Sequence, residues 1–218
     1  MELQKRLALQ VVENDILADK EVEYVCGIDV SYVNDTANCS ALIMERYSYH
    51  TIEVANLSIR TIHPYIPGLF MLREAKPLLA TLKLLKKEFD ILLIDGHGIL
   101  HPRRCGLACY IGLVLNKPTI GVGKRLVCGY VRDDQFIEDH GQVLGFKMNN
   151  QRKNKKAIYV SVGNLISLVS SIRIVEELTK EGHWIPEPLR IADINSKNIL
   201  NFRSTIRSQE GRYSDEYS

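Results

Sequence analysis

The chain opens with apolar positions at helical spacing. Leu3, Leu7, Val11 and Leu17 recur among charged residues, which predicts a helix over residues 1–20. The period then shortens. Residues 24–32 (YVCGIDVSY), 39–44 (CSALIM) and 50–59 (HTIEVANLSI) are rich in β-branched residues and separated by polar turns, and they predict three strands in an antiparallel meander. Residues 69–88 return to the helical period, with Ala75, Leu78, Leu79, Leu82 and Leu85 on one stripe. Pro77 lacks an amide proton, so this helix either starts near Lys76 or kinks there. The apolar runs 90–94 (DILLI) and 118–123 (PTIGVG) read as fully buried strands, with a helix over 104–116 between them. Edge strands are predicted within 128–162, clearest at VLGFKM (143–148) and AIYVSV (157–162), followed by helices over 164–181 and 188–200. No repeat or linker interrupts this order. Residues 1–203 therefore read as one domain, and 204–218 as a polar tail expected to be disordered. A meander followed by alternating β and α elements predicts an α/β fold, a mixed sheet with helices on its faces.

Composition narrows the classes. The 218 residues are 45% hydrophobic and 25% charged, average for a soluble globular domain, which excludes collagen, coiled coil and long disorder. No apolar run approaches the roughly 18 residues of a membrane span, and residues 1–15 (MELQKRLALQVVEND) lack the apolar core of a secretory signal. The five cysteines, Cys26, Cys39, Cys105, Cys109 and Cys128, form no CxxC, so all five read as reduced thiols in a cytoplasmic protein. Lys plus Arg number 28 and Asp plus Glu 26, a net charge of +2. A nucleic-acid partner would then be held by local clusters rather than by a global field.

The chemistry-bearing residues are scattered along the chain. Asp29 sits mid-strand between Ile28 and Val30, sharing a face with Gly27 and Ser31. A buried unpaired carboxylate there needs a cation, although a strand-end Asp bonding a turn is the plain alternative. Asp95 closes the ILLI run and opens Gly96-His97-Gly98, at the strand end where α/β sheets bind ligands. Glu74 borders the 69–88 stripe, and Asp193 lies inside the helix that Pro188 starts. Alone, each reads as a surface acid. Converging, they suit Mg²⁺ or Mn²⁺, which take oxygen ligands.

Other candidates surround them. Arg103 and Arg104 stand at a predicted helix N-terminus, where a phosphate could bind both the guanidinium groups and the free amides. Gly121 and Gly123 share a strand face, open either to a flat ligand or to close helix packing on the sheet, with Lys124 next. The stiff loop Pro64-Tyr65-Ile66-Pro67-Gly68 offers an aromatic wedge for the gap left by a displaced base. Arg152, Lys153, Lys155 and Lys156 form a basic run between two strands, suited to a phosphate backbone or to a solvated hairpin tip. His183 and Trp184 precede PEPLR, but there is no HExxH, no GxSxG elbow and no GxxxxGK[ST] loop.

The motifs GIDVSY (27–32), PYIPG with REAKP (64–77), DGHGILHPRRCGLACYIG (95–112), PTIGVGK (118–124) and PEPLRIAD (186–193) together resemble the endonuclease V family, in that family's order and across residues 20–200. The resemblance implies a ribonuclease H-like fold and a Mg²⁺-dependent endonuclease, with Mn²⁺ as a substitute. It implies recognition of inosine in DNA and hydrolysis of the second phosphodiester bond 3′ to it, leaving 3′-hydroxyl and 5′-phosphate ends in a repair pathway. Inosine-containing RNA is the alternative substrate. The implied protein is a monomer without a membrane partner. By motif position Asp29, Glu74 and Asp95 would hold metal and Asp193 would complete the site. Lys124 and His101 would be catalytic partners. Tyr65 would be the wedge, and Gly68, Gly96, Gly121 and Gly123 would line a tight base pocket. The chain departs from the family pattern at Tyr110, where His is common, at Gly123, where Ala is common, and at Arg125, where a small residue or Lys is common.

Overall fold

The structure is a computed structural model and describes residues 2–61, 70–149 and 157–199. The strands are β1 (Tyr24–Val33), β2 (Thr36–Glu45), β3 (Thr51–Arg60), β4 (Ile91–Asp95), β5 (Thr119–Gly123), β6 (Tyr130–Arg132), β7 (Phe136–Asp139), β8 (Gln142–Asn149) and β9 (Ala157–Asn164). The helices are α1 (Glu2–Ala8), α2 (Phe70–Leu82), α3 (Leu107–Leu115), α4 (Leu168–Glu177) and α5, described over residues 187–199.

All nine strands join one sheet in the order β3-β2-β1-β4-β5-β9-β8-β7-β6. The predicted meander forms: β1–β2 and β2–β3 pair antiparallel over their full lengths. β4 then lies parallel to β1, and β5 parallel to β4. The mixed α/β sheet read from the chain is the observed fold. Residues 157–162 are not at an edge, however. β9 pairs antiparallel with β5 on one side and β8 on the other, and the edge falls to the three-residue β6. Its alternate residues Ile158, Val160 and Val162 are fully covered, which an edge strand would not need.

Helices cover both faces. Ala75, Leu78 and Leu82 of α2 and Leu107, Ala108 and Ile111 of α3 pack on Cys26, Ile28, Leu92 and Ile94. Ile174 and Val175 of α4 and Leu189 of α5 join Val25, Ile91 and Leu93. Each Leu, Ile or Val among them contributes roughly 1.5–3 kcal/mol on burial. α5 comes close to β1 because Gly27 has no side chain: a Cβ there would stand 2.6 Å from the Pro188 Cβ.

Four helices depart from their expected lengths, among them α4, which is expected over 164–181 but spans Leu168–Glu177, with Ser167 capping its start. α1 spans only Glu2–Ala8, because residues 12–15 spend their hydrogen bonds elsewhere. Val12 N donates to Asn164, Leu165 N to Val12 O, and the Asp15 carboxylate accepts from Ser167. α2 starts at Phe70 and carries Pro77 inside it, then ends at Leu82, where the Glu53 carboxylate accepts the Lys86 and Lys87 amides. α3 starts at Leu107 because Arg104 holds a left-handed φ of 56°, outside any helix.

Candidate active site

β1 and β4 pair in parallel as far as Ile28 and Ile94, and the next residue on each strand is Asp29, mid-way along β1, and Asp95, the last of β4. The predicted face of β1 is realised: Gly27, Asp29 and Ser31 all meet α5. Ser31 Oγ donates to Ser196 O at 2.8 Å, and Ser196 Oγ lies 3.1 Å from Asp29 Oδ2. That docking sets Asp193, one turn before Ser196, against Asp29 and Asp95. Carboxylate oxygens of Asp29, Asp95 and Asp193 lie within 4.8 Å of one another. Residues 164 positions apart in sequence thus form one cluster.

Lys124 answers this charge. Its Nζ donates to Asp95 Oδ2 and stands 3.8 Å from Asp193 Oδ1. Lys197 bonds the other Asp193 oxygen at 2.6 Å from the solvent side. A cleft of about 470 Å³ opens over the cluster, lined among others by Asp29, Glu74, Asp95, Gly96, His101 and Lys124. Glu74 reaches it from α2, outside the group of three converging oxygens.

The electrostatics follow from crowding. Burial, reinforced by the Asp95 carboxylate, pushes Asp29 up to about 8. Burial and then Asp95 push Glu74 up to about 7. Burial alone would lower Lys124, but Asp95, Asp29 and Asp193 hold it above the ordinary lysine range. Burial, then Arg103, drive His101 down to about 4, so its ring is neutral. Its Nδ1 accepts the Arg103 amide at 3.1 Å, which leaves the ring proton on Nε2. A group of partly neutralised carboxylates facing one cation is what a divalent metal ion relieves, and the all-oxygen donor set fits a hard cation.

The remaining candidates fall in several places. Gly96 and Gly123 line the cleft. The Gly121 face is not open, because the 96–98 turn lies on it: a Cβ at Gly121 would stand 2.8 Å from Gly96 O. The close packing is by the chain's own turn. Arg103 and Arg104 precede α3 rather than starting it, and both have partners. Arg103 Nε donates to Gln4 at 2.6 Å, and Arg104 pairs with Asp139 at 3.2 Å. His183 bonds Glu187 at 2.9 Å, in a network with Arg190. Pro64, Tyr65, Ile66, Pro67 and Gly68 lie outside the described residues, as do Arg152, Lys153, Lys155, Lys156 and residues 204–218.

Sequence reasoning missed Ser196, Gln4, His97, Arg125 and Val127. Ser196 had a usable signal, since it lies three residues after Asp193 on one helix face. Gln4 had none. It is 2% exposed, donates to Cys105 O at 3.0 Å and lines the cleft from a helix whose only sequence signal was its apolar spacing.

A family model described as Endonuclease V matches residues 5–194. The endonuclease V of Pyrococcus abyssi is 39% identical over 200 residues, covering 92% of this chain and 91% of the relative. That of Thermofilum pendens is 37% identical over 195 residues, covering 88% and 83%. Among solved structures, human ENDOV superposes with a TM-score of 0.83 at 27% identity, covering 93% of this chain and 97% of that one. Ciona intestinalis endonuclease V, solved in complex with a 24mer DNA containing an inosine followed by a ribo-adenosine, also gives 0.83 at 27% identity, covering 92% and 95%.

Proposed function

This chain belongs to the endonuclease V family, a nuclease family hydrolysing phosphodiester bonds, and from that premise we propose that it cuts DNA at inosine. The carrying observation is the clustering of Asp29, Asp95 and Asp193, with Lys124 paired to Asp95 and Asp193, at a cleft that Asp29, Asp95 and Lys124 line. The Ciona relative's complex with inosine-containing DNA supports the substrate. The bond cut is the second phosphodiester 3′ to inosine, and Tyr65 is the residue we assign to the gap left by the displaced base.

Asp29 and Asp95 would hold a divalent cation, with Asp193 and Glu74 completing its surroundings. The ion is Mg²⁺, with Mn²⁺ as a substitute. Such an ion activates water and stabilises charge on the leaving oxygen. Lys124 stays protonated, so it acts as a cation toward the phosphate and not as a base. Neutral His101 offers its Nε2 proton to a phosphate or leaving oxygen. Water oxygen bonds to phosphorus and loses a proton to solvent, and the bond from phosphorus to O3′ breaks with its electron pair on O3′, which takes a proton from solvent. The products are a 3′-hydroxyl and a 5′-phosphate.

The test is a duplex carrying one deoxyinosine, incubated with Mg²⁺ beside an unmodified control. One nick at the second bond 3′ to the lesion is expected. An intact lesion strand with folded protein overturns the proposal. A second reading, an endoribonuclease acting at inosine, is favoured by the ribo-adenosine in the Ciona complex. Matched DNA and RNA inosine strands decide it: preferential RNA cleavage supports it, and equal or faster DNA cleavage removes it.

A further inference from the structure

We propose that His97 is a positioning residue for Lys124. The inference rests on the reading of Lys124 as the phosphate-facing cation, and it starts from packing. His97 follows Asp95 by two residues, in the turn between β4 and α3. Its imidazole lies on the bare backbone of Gly123, where a Cβ would come within 2.6 Å of both ring nitrogens. One turn therefore holds Lys124 from two sides. The His97 ring presses the residue before it, and Asp95 takes its Nζ.

The hold has a physical purpose. β5 ends at Gly123, so ladder hydrogen bonds stop just before Lys124. Lys124 is also long and 36% exposed in its side chain, and fixing such a chain costs conformational entropy. The bracket formed by the ring on Gly123 and by Asp95 on Nζ limits the freedom with which Nζ would otherwise stray. The ring's Nδ1 is buried with no hydrogen-bond partner among the described residues, so the ring acts on Gly123 through packing.

The test uses the full chain, with single-turnover cleavage of the deoxyinosine duplex in Mg²⁺. Duplex affinity is measured in chelator and unfolding is followed by circular dichroism. His97→Ala is expected to slow cleavage about tenfold with affinity and melting temperature nearly unchanged. Gly123→Ala, which drives the ring off its seat, is expected to do the same. In the double variant His97→Ala/Gly123→Ala the new methyl takes the vacated space, and the rate returns to within about threefold of wild type. With Lys124→Ala already in place, His97→Ala is expected to change the rate less than about twofold. An undiminished loss in that background, a loss confined to affinity, or a double variant slower than either single variant overturns the proposal. A wild-type chain that leaves the duplex intact overturns the functional reading instead. The bracket is then read from the ¹³C resonance of reductively methylated Lys124, assigned with Lys124→Arg. A shift or broadening in His97→Ala supports the bracket, and an unmoved resonance overturns it.

Discussion

The Ser196 hydroxyl stands 3.1 Å from Oδ2 of Asp29, across 167 positions of sequence. It joins the last described helix to the first strand, at a carboxylate only 7% exposed. Ser196→Ala leaves that buried oxygen without this partner. A loss of about 1–2 kcal/mol in unfolding free energy is expected. Denaturant unfolding in chelator measures it.

Asp95 touches both halves of the site, bonding Lys124 and clustering with Asp29 and Asp193. Asp95→Ala is expected to slow cleavage of a deoxyinosine duplex at least about a hundredfold, since it removes a carboxylate proposed to hold metal and frees Lys124. Duplex affinity is expected to hold within a few fold, because the other groups facing the substrate remain. Cleavage rates and anisotropy titrations on the same duplex separate the two.

Asp29 and Glu74 are held up to about 8 and about 7 when no metal is bound. The folded chain then carries more protons than the unfolded one between about pH 4 and 8, so stability falls as pH rises through that window. In chelator, the melting temperature is expected to drop from pH 5.5 to pH 8.5, with Asp29→Asn flattening the drop. Added Mg²⁺ is expected to raise it more at pH 8 than at pH 5.5, where protons compete for the carboxylates. Scanning calorimetry at the two pH values measures both effects.

Arg104 pairs with Asp139 on β7 and donates to its carbonyl, both at 3.2 Å. Arg104→Ala is expected to cost about 1 kcal/mol of stability, as for a half-buried ion pair. The salt dependence of duplex binding is expected to stay unchanged, whereas loss of a phosphate contact would lower its slope by about 1.

Gly27 is where α5 seats on β1. Gly27→Ala is expected to push α5 outward, cost about 2 kcal/mol through overpacking and slow cleavage by moving Asp193. Glu187 at the start of α5 keeps its network with Arg190 and His183 in any case, so the helix itself persists. Denaturant melts and cleavage rates measure the two effects.

Local pattern carried much of this fold. The β-branched, turn-bounded runs of β1–β3, the unbroken apolar runs of β4 and β5 and the stripe on α2 each encode an element through which faces must be buried. Element ends were less legible. α1 stops short because Asn164, Leu165 and Ser167, far along the chain, take the hydrogen bonds of residues 12–15. Likewise β9 is interior because β5 and β8 flank it, which no local period can encode.

The site divides the same way. Sequence singled out the carboxylates, Lys124 and the glycine pairs only through the motifs that hold them, since each acid taken alone reads as a surface residue. Tertiary structure alone decided that Asp193 joins Asp29 and Asp95, that Arg103 and Arg104 are bound to Gln4 and Asp139, and that the Gly121 face is covered by the 96–98 turn. The physical reason is range. A side chain's preference for a strand or helix is set by its neighbours in sequence. Its charge partner is set by which distant backbone comes within a few ångströms, and here that depended on the absence of side chains at Gly27, Gly121 and Gly123.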